Sequence, residues 1–157
     1  MHVELDIRRM RAGEAEACEQ VLRALPEWFG IEQSILDYRQ DVEALETWVV
    51  TVAGALGGFV TLRAHNPHSA EIQVLAVLRE LHGRGVGSAL VAHAEALLAA
   101  RGVEYLQVKT LGPSRLDPNY DRTRRFYAAR GFRALEEHRL WGDVNPCLVL
   151  VKRLAES

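Results

Sequence analysis

The sequence predicts a mixed α/β protein: a central, mostly antiparallel twisted sheet with one parallel crossover and flanking helices. Apolar and polar residues alternate over residues 3–9, as expected of a half-buried strand. Residues 47–52 and 55–64 are β-branched or aromatic runs with a two-residue connection, which indicates a hairpin. A strand, a helix and a strand then follow over residues 69–111, and such a crossover is right-handed by default and makes its two strands parallel.

Composition indicates one ordinary globular domain over residues 1–157. The chain is 48% apolar and 25% charged, which excludes disordered and fibrous classes. Its formal net charge of −2 gives no reason to expect nucleic acid as a partner. The two cysteines, Cys18 and Cys147, have small or apolar neighbours and are expected to be buried free thiols in a reducing compartment. With no signal-like start and no long apolar run, we expect a cytoplasmic protein that does not enter membranes.

Helical periodicity appears twice before the hairpin. Residues 12–25 carry an apolar stripe and are followed by Pro26, which predicts a first helix. The next turn holds exposed aromatic residues, and a second helix is expected from Ser34 as N-cap to about Leu45.

The second half of the chain alternates helices and strands. After a third meander strand over 69–80, a glycine-rich segment opens a helix that ends near Arg101, and residues 103–111 form the next strand. A loop with two prolines leads to a helix over 119–130. Strands from Phe132 and over 147–154 complete the predicted sheet.

The segment HGRGVGSAL is the strongest chemical signal. Gly83, Gly85 and Gly87, with Arg84 among them, follow a strand and open a helix, so backbone N–H groups and the helix dipole can bind a pyrophosphate. Glycine spacing alone fits a simple packing turn equally well. A P-loop is disfavoured because no lysine follows, and a dinucleotide fold because the loop lies mid-chain and the next strand ends without an acidic residue.

This segment and the later RRFYAARGF resemble the GNAT acetyltransferase superfamily. The family's Q/R-x-x-G-x-G/A signature at a helix start is matched by residues 82–87, and its tyrosine shortly before Gly-Phe by Tyr127, Gly131 and Phe132. The similarity in element order extends from Val3 to Leu154. It implies the GNAT acyl-CoA N-acyltransferase fold.

The resemblance implies acetyl-CoA as the cofactor. Backbone groups of 75–77 would pair with pantetheine, the amides of 83–88 would hold the pyrophosphate, and the strand from Val103 would diverge to admit the thioester. The residues assigned to the cofactor are Leu75, Ala76, Val77, His82, Gly83, Arg84, Gly85, Val86, Gly87, Ser88, Asn119, Tyr120 and Tyr127. His82 stands where the family has Gln or Arg. Tyr120 stands where many members have Asn, and Asn119 would replace that contact after a shift of one residue.

Two side chains are candidates for proton transfer. Tyr127 is the candidate acid for the leaving thiolate, and its alternative role is to pack its ring on the core. Glu71 is the candidate base that deprotonates the amine, with Asp117 as its rival. Either carboxylate could instead be a solvated edge residue.

Other polar and aromatic residues complete the list of candidates. His65 and His68 lie near Glu71, but their spacing within one turn predicts no metal site. The predicted acceptor-binding residues are Trp28, Phe29, Tyr38, Asp117 and Trp141.

The sequence therefore predicts an acetyl-CoA-dependent N-acetyltransferase in which a primary amine attacks directly within a ternary complex. A non-catalytic acyl-CoA sensor and an acyltransferase with another donor or an oxygen nucleophile remain alternatives. The expected partner is a small-molecule or peptide amine, and exposed aromatics and edge strands suggest a homodimer.

Overall fold

The computed structural model describes residues 4–154. Its helices and strands follow one another along the chain, with a short 3₁₀ turn at Arg79–Leu81. The order is β1 (Leu5–Arg9), α1 (Ala15–Arg23), α2 (Glu32–Ala44), β2 (Glu46–Val52), β3 (Ala55–Asn66), β4 (Ser69–Val77), α3 (Val86–Ala100), β5 (Tyr105–Leu111), α4 (Pro118–Ala129), β6 (Arg133–His138) and β7 (Cys147–Arg153).

Seven strands of the described chain form one sheet in the order β1-β2-β3-β4-β5-β7-β6. The β1–β2, β2–β3, β5–β7 and β6–β7 pairs are antiparallel. β4 and β5 are parallel, with Ser69–Ile72 opposite Tyr105–Val108. The predicted fold class, with its single crossover through α3, is confirmed.

The chain divides into two compact units. The N-terminal unit comprises the residues up to Arg63 together with Gln73–Leu97, and the C-terminal unit comprises Ala64–Ile72 and the residues from Leu98 onward. The core of the N-terminal unit joins α1 and α2 to β2, β3 and β4. Its members are Ala15, Cys18, Val21, Leu22, Leu25, Ile35, Val42, Val49, Phe59, Val74 and Ala76.

In the C-terminal unit, β5 and β7 pair along their full lengths, from Tyr105 opposite Arg153 to Leu111 opposite Cys147. Leu106 and Val108 are buried on β5, as is Leu150 on β7. Apolar residues at alternate positions of adjacent strands therefore bury one face of this ladder.

Turn geometry accounts for the predicted hairpin. Ala53 and Gly54 have φ angles of 52° and 84°. Two successive residues with positive φ form the tight turn whose twist matches antiparallel strands.

Several boundaries differ from the predicted ones. The predicted strand over residues 3–9 begins at Leu5, and Val3 lies outside the described residues. The first helix is shorter than residues 12–25, because Gly13 has a φ of 88° and helical structure begins only at Ala15. The strand predicted over 69–80 ends at Val77, where the 3₁₀ turn follows.

The second and last predicted helices also begin earlier than expected. α2 starts at Glu32 rather than after Ser34, without a side-chain cap. α4 starts at Pro118, because the Asp117 carboxylate caps it by accepting hydrogen bonds from the backbone N–H groups of Asn119 and Tyr120. Proline is favoured in such a first turn, where its missing N–H costs no helical hydrogen bond.

Both cysteines are buried free thiols, as predicted. Burial raises the pKa of Cys18 to about 12 and also raises that of Cys147. Within residues 4–154, no helix is both long enough and apolar enough to cross a membrane.

Candidate active site

The glycine loop, residues 82–87, leads into α3. Gly83 and Gly85 have φ angles of 76° and 80°, and a Cβ atom at either position would meet no atom within 4 Å. These residues are therefore glycines because of backbone conformation rather than crowding. The open side of the loop leaves room for a ligand to approach the backbone closely.

The first turn of α3 suits an anion. The helix extends over Val86–Ala100 without an acidic residue in its first turn. The Ala89 N–H donates to the Gly85 carbonyl at 3.0 Å, an i to i−4 hydrogen bond that joins the loop to the helix. The N–H groups of a first helical turn have no partner within the helix, and the helix dipole adds positive potential there. The glycine loop thus offers backbone N–H groups to an anionic ligand, and its predicted contact with a pyrophosphate stays a prediction.

His82 connects this loop to β4. Its Nε2 lies 2.7 Å from the Val77 carbonyl oxygen, so the ring donates a hydrogen bond to the end of the strand. Trp28 contacts the His82 ring edge-on, with a centroid distance of 5.6 Å. His82, at the first position of the glycine-loop signature, therefore holds the loop against the preceding strand, β4.

The other predicted acceptor aromatics of the N-terminal unit pack on its core. Phe29 and Tyr38 meet edge-to-face with centroids 5.8 Å apart, and both are partly buried against the core cluster, as is Trp28. This packing attaches the turn after α1 to the core. The predicted contact of these aromatic residues with an acceptor stays a prediction.

The end of β4 has a closely packed backbone. A Cβ atom on Gly58 would lie 2.7 Å from the Ala76 carbonyl oxygen, so β3 needs glycine there. The Leu78 N–H donates to the Gly57 carbonyl at 2.9 Å. The β4–β5 ladder ends at Ile72, whereas β4 continues to Val77. The stretch assigned to pantetheine, 75–77, lies in this continuation.

Glu71 occupies the centre of a polar cluster in the C-terminal unit. Its side chain is only 5% exposed. His65 Nε2 lies 2.7 Å from Glu71 Oε1, Gln107 Nε2 donates to the same oxygen at 2.9 Å, and Lys109 Nζ lies 3.0 and 3.1 Å from the two oxygens. We call Glu71, His65, Gln107 and Lys109 the Glu71 cluster.

These partners determine the charge of Glu71. Burial would raise the pKa of the carboxyl, but hydrogen bonds from His65, Gln107 and Lys109, with the positive charge of Lys109, lower it below its ordinary value. The carboxylate is therefore ionised at neutral pH. Glu71 is not a solvated edge residue.

Sequence reasoning missed Gln107 and Lys109. They alternate with buried Leu106 and Val108 on β5, and Glu71 lies opposite Gln107 in the parallel register. The predicted crossover, combined with strand alternation, could have placed these polar side chains near Glu71.

Tyr127 is buried on α4, with 4% of its surface exposed. Its ring makes edge contacts with Phe126 and Phe132, at centroid distances of 5.1 and 5.3 Å. The Tyr127 carbonyl also accepts from the N–H of Phe132 where the helix ends. The tyrosine thus takes the predicted packing role, which does not test its role as an acid.

The remaining predicted residues lie in two parts of the C-terminal unit. Asp117, Asn119 and Tyr120 form the capped start of α4, with cap distances of 2.9 and 3.3 Å. Trp141 lies between β6 and β7 and is 40% exposed. A cavity of about 270 Å³ near this connection contains none of the predicted site residues. It is lined by Ser114, Glu137, His138, Arg139, Asp143 and Pro146.

His68, close to His65 in sequence, does not join the cluster. Its side chain is 71% exposed and pairs with Glu104 at 3.1 Å. Among the residues described, no group of three or more metal-ligating side chains is arranged to hold an ion.

The sheet order and the glycine loop together are those of an acyl-CoA-dependent acyltransferase. Comparison with known proteins agrees: residues 43–134, more than half of the chain, match the acetyltransferase (GNAT) domain. The chain belongs to the GNAT acetyltransferase family. Its members use acetyl-CoA, so the predicted family and cofactor are both confirmed.

Individual relatives are distant but cover most of the chain. An uncharacterised N-acetyltransferase of Chlorobaculum tepidum is 25% identical over 146 residues, which are 90% of this chain and 86% of the relative. A GNAT-family structure from Desulfovibrio desulfuricans has a TM-score of 0.85 at 17% identity, covering 97% and 100% of the two chains. A GNAT acetyltransferase of Elizabethkingia anophelis with acetyl-CoA bound has a TM-score of 0.73 at 16% identity, covering 96% and 98%.

Proposed function

We propose that the protein is an N-acetyltransferase of a single domain, residues 1–157, that transfers the acetyl group of acetyl-CoA to a primary amine by direct attack in a ternary complex. The observation that carries this proposal is the glycine loop: two left-handed glycines, open on their outer side, lead into a long helix with no acidic residue in its first turn.

Acetyl-CoA supplies an acyl group activated as a thioester. In our proposal, the amides of 83–88 hold its pyrophosphate, because these N–H groups and the dipole of α3 favour negative charge. The backbone of 75–77 pairs with pantetheine in the manner of an added strand. An amide after Leu75 donates to the thioester oxygen, which stabilises the negative charge that forms there during attack.

Tyr127 is proposed to donate its phenolic proton to the leaving sulfur. A thiolate is a good leaving group, since thiols have a pKa of about 8.5, so the acid is expected to contribute a moderate part of catalysis. Ring contacts with Phe126 and Phe132 support this role because they restrict the orientation of the hydroxyl group.

The amine arrives mainly protonated and must lose a proton before it attacks. We propose that this proton leaves through the Glu71 cluster, which combines an ionised buried carboxylate with polar side chains from β3 and β5. We retain Trp28, Phe29, Tyr38, Asp117 and Trp141 as proposed acceptor-binding residues. Trp28→Ala should then raise the KM for the acceptor.

Thermal unfolding with acetyl-CoA is the first test of this function. At a ligand concentration of about 100 Kd, binding should add roughly 2.7 kcal/mol and raise Tm by roughly 5–10 °C. Absence of a shift in a folded sample would contradict the proposal.

The second test is acetylation of three amines that differ in basicity: an alanine-initiated peptide, a lysine side chain in N-α-acetyl-lysine amide, and an amino sugar. Release of free thiol together with an acetylated amine would support the proposal. A Tm shift without transfer to any amine would instead indicate an acyl-CoA sensor. Faster transfer from longer acyl-CoA esters would indicate another donor.

A further inference from the structure

The His65 imidazole is held by the Glu71 carboxylate while it remains open to solvent. Nε2 lies 2.7 Å from Glu71 Oε1, yet the His65 side chain is 35% exposed, against 5% for Glu71. An ionised carboxylate can only accept hydrogen bonds, so the ring donates from Nε2. The neutral ring then carries its lone pair on Nδ1, and no group within residues 4–154 bonds to that atom.

Glu71 itself is poorly suited to accept the proton. Oε1 already accepts from His65, Gln107 and Lys109, and Oε2 lies 3.1 Å from Lys109 Nζ. A proton on this carboxyl would remove the negative charge that pairs with the Lys109 ammonium group. It would also require an amine to reach an atom of a side chain that is almost fully buried.

We propose that His65 is the general base of the reaction and that Glu71 is its positioning residue. The inference rests on the proposed acetyl transfer and specifies its proton acceptor, Nδ1 of His65. Glu71 fixes the tautomer that leaves Nδ1 basic and stabilises the imidazolium that forms, as a buried carboxylate does for the histidine of a catalytic triad.

The proton balance is complete without another reactant. Nδ1 takes one proton from the acceptor ammonium, which frees the nitrogen lone pair that forms the C–N bond. As the C–S bond breaks, the sulfur receives a proton from Tyr127, and the tyrosine regains one from the new amide nitrogen. His65 then returns its proton to water across its exposed edge, so the net release is one proton per acetyl group transferred.

Other titratable and charged groups lie around the Glu71 cluster. Glu71 faces it from β4, and Lys109 faces Glu71 from β5. The Cys147 thiol on β7 interacts electrostatically with both of those residues. On β3 itself, Arg63 is engaged by Gln73 and Asp41.

Nuclear magnetic resonance of the ligand-free protein tests the tautomer directly. With ¹⁵N-labelled histidine, we expect His65 to show a proton on Nε2 and an unprotonated Nδ1 when the ring is neutral. Glu71→Gln should lessen the preference for this tautomer, because the carboxylate that accepts from Nε2 is then gone. A neutral ring protonated on Nδ1 would overturn the inference, whatever the enzyme acetylates.

Kinetics test the base with whichever of the three amines is acetylated fastest. At pH 7, His65→Gln should lower kcat/KM by about 10²-fold. The loss should shrink as pH approaches the range in which the amine deprotonates unaided. Glu71→Gln should lower kcat/KM by less, and His68→Gln, an exposed histidine of the same hairpin, is the matched control that should not change it.

The outcomes separate this inference from the proposed function. An acetyl-CoA shift in Tm must persist in every variant, because none alters the glycine loop. Undiminished transfer by His65→Gln, or a loss of equal size at every pH, would overturn the role of His65 and leave the acetyltransferase assignment standing. No Tm shift in the wild type would overturn the acetyltransferase assignment instead.

Discussion

The glycine loop and the Glu71 cluster differ in the groups that they present: backbone in the loop and side chains in the cluster. The loop offers backbone N–H groups, and its glycines are required by φ angles of 76° and 80° at Gly83 and Gly85. The cluster offers side chains, and its central carboxylate is bonded by residues 36 and 38 positions away in sequence. A ligand site made of backbone depends on local conformation, whereas one made of side chains depends on strand register.

This difference predicts different responses to mutation. The loop should fail when a side chain obstructs or charges its open side, and it should tolerate exchange of its polar side chains. The cluster should fail when one partner is removed, because a buried charge is then left uncompensated. The following predictions test that contrast, beginning with the largest effect.

Gly85→Glu should abolish binding of acetyl-CoA. The new carboxylate would point into the open side of the loop and repel the pyrophosphate, at a position where φ already disfavours a side chain. The expected result is loss of the whole ligand-induced shift in Tm. Calorimetry with acetyl-CoA and with CoA alone would check it.

Gly102→Glu is the matched control. Gly102, after the end of α3, has a φ of 86° and equally open surroundings, so it suffers the same backbone strain. Gly102→Glu should lower Tm without weakening the binding of acetyl-CoA. Equal loss of binding in both variants would mean that backbone strain, not the loop, explains the effect.

The same contrast explains what the sequence revealed. The loop was predictable because its glycines, the preceding strand and the following helix are adjacent in the chain. Strand alternation and turn residues such as Ala53-Gly54 likewise made the sheet and its crossover predictable. The partners of Glu71 were not predicted, because Lys109 reaches it only through the β4–β5 register. Asp117 is the predicted rival base, and the structure shows that its local bonds make it the cap of α4.

Tyr127→Phe should lower kcat by about 10²-fold with the affinity for acetyl-CoA unchanged. The ring and its contacts with Phe132 are retained, and the variant removes only the hydroxyl group. Steady-state rates and Kd measured on the same preparation would check this. An unchanged kcat would remove Tyr127 from the mechanism and leave it a core residue.

Lys109→Met should cost about 3 kcal/mol of stability at pH 7, the lower end for breaking a buried ion pair. Glu71 would then be a buried carboxylate without its ammonium partner. Glu71→Gln should cost less, because Lys109 is 26% exposed and can reach water. Urea unfolding of both variants would check the order. Equal costs would mean that an unpaired Lys109 is as unfavourable as an unpaired Glu71.

The contribution of Glu71 to the pH dependence of stability should be weaker in Lys109→Met than in the wild type. In the wild type the pKa of Glu71 is lowered, so its contribution is present above the unfolded pKa and is lost as pH falls through the folded one. Without Lys109, one cause of that lowering is lost, so Lys109→Met should lose less stability than the wild type on acidification. A constant difference between the two from pH 7 to pH 4 would contradict this account.

His82→Ala should have the smallest effect of the series. The ring donates one hydrogen bond to the Val77 carbonyl and contacts Trp28, so its loss removes an interaction worth about 0.5–1.5 kcal/mol. The affinity for acetyl-CoA should therefore fall by roughly 2- to 10-fold, measured by calorimetry against His68→Ala as control. A loss as complete as that of Gly85→Glu would show that the loop depends on this side chain as the Glu71 cluster depends on Lys109, and the distinction between backbone and side-chain sites would not hold for this protein.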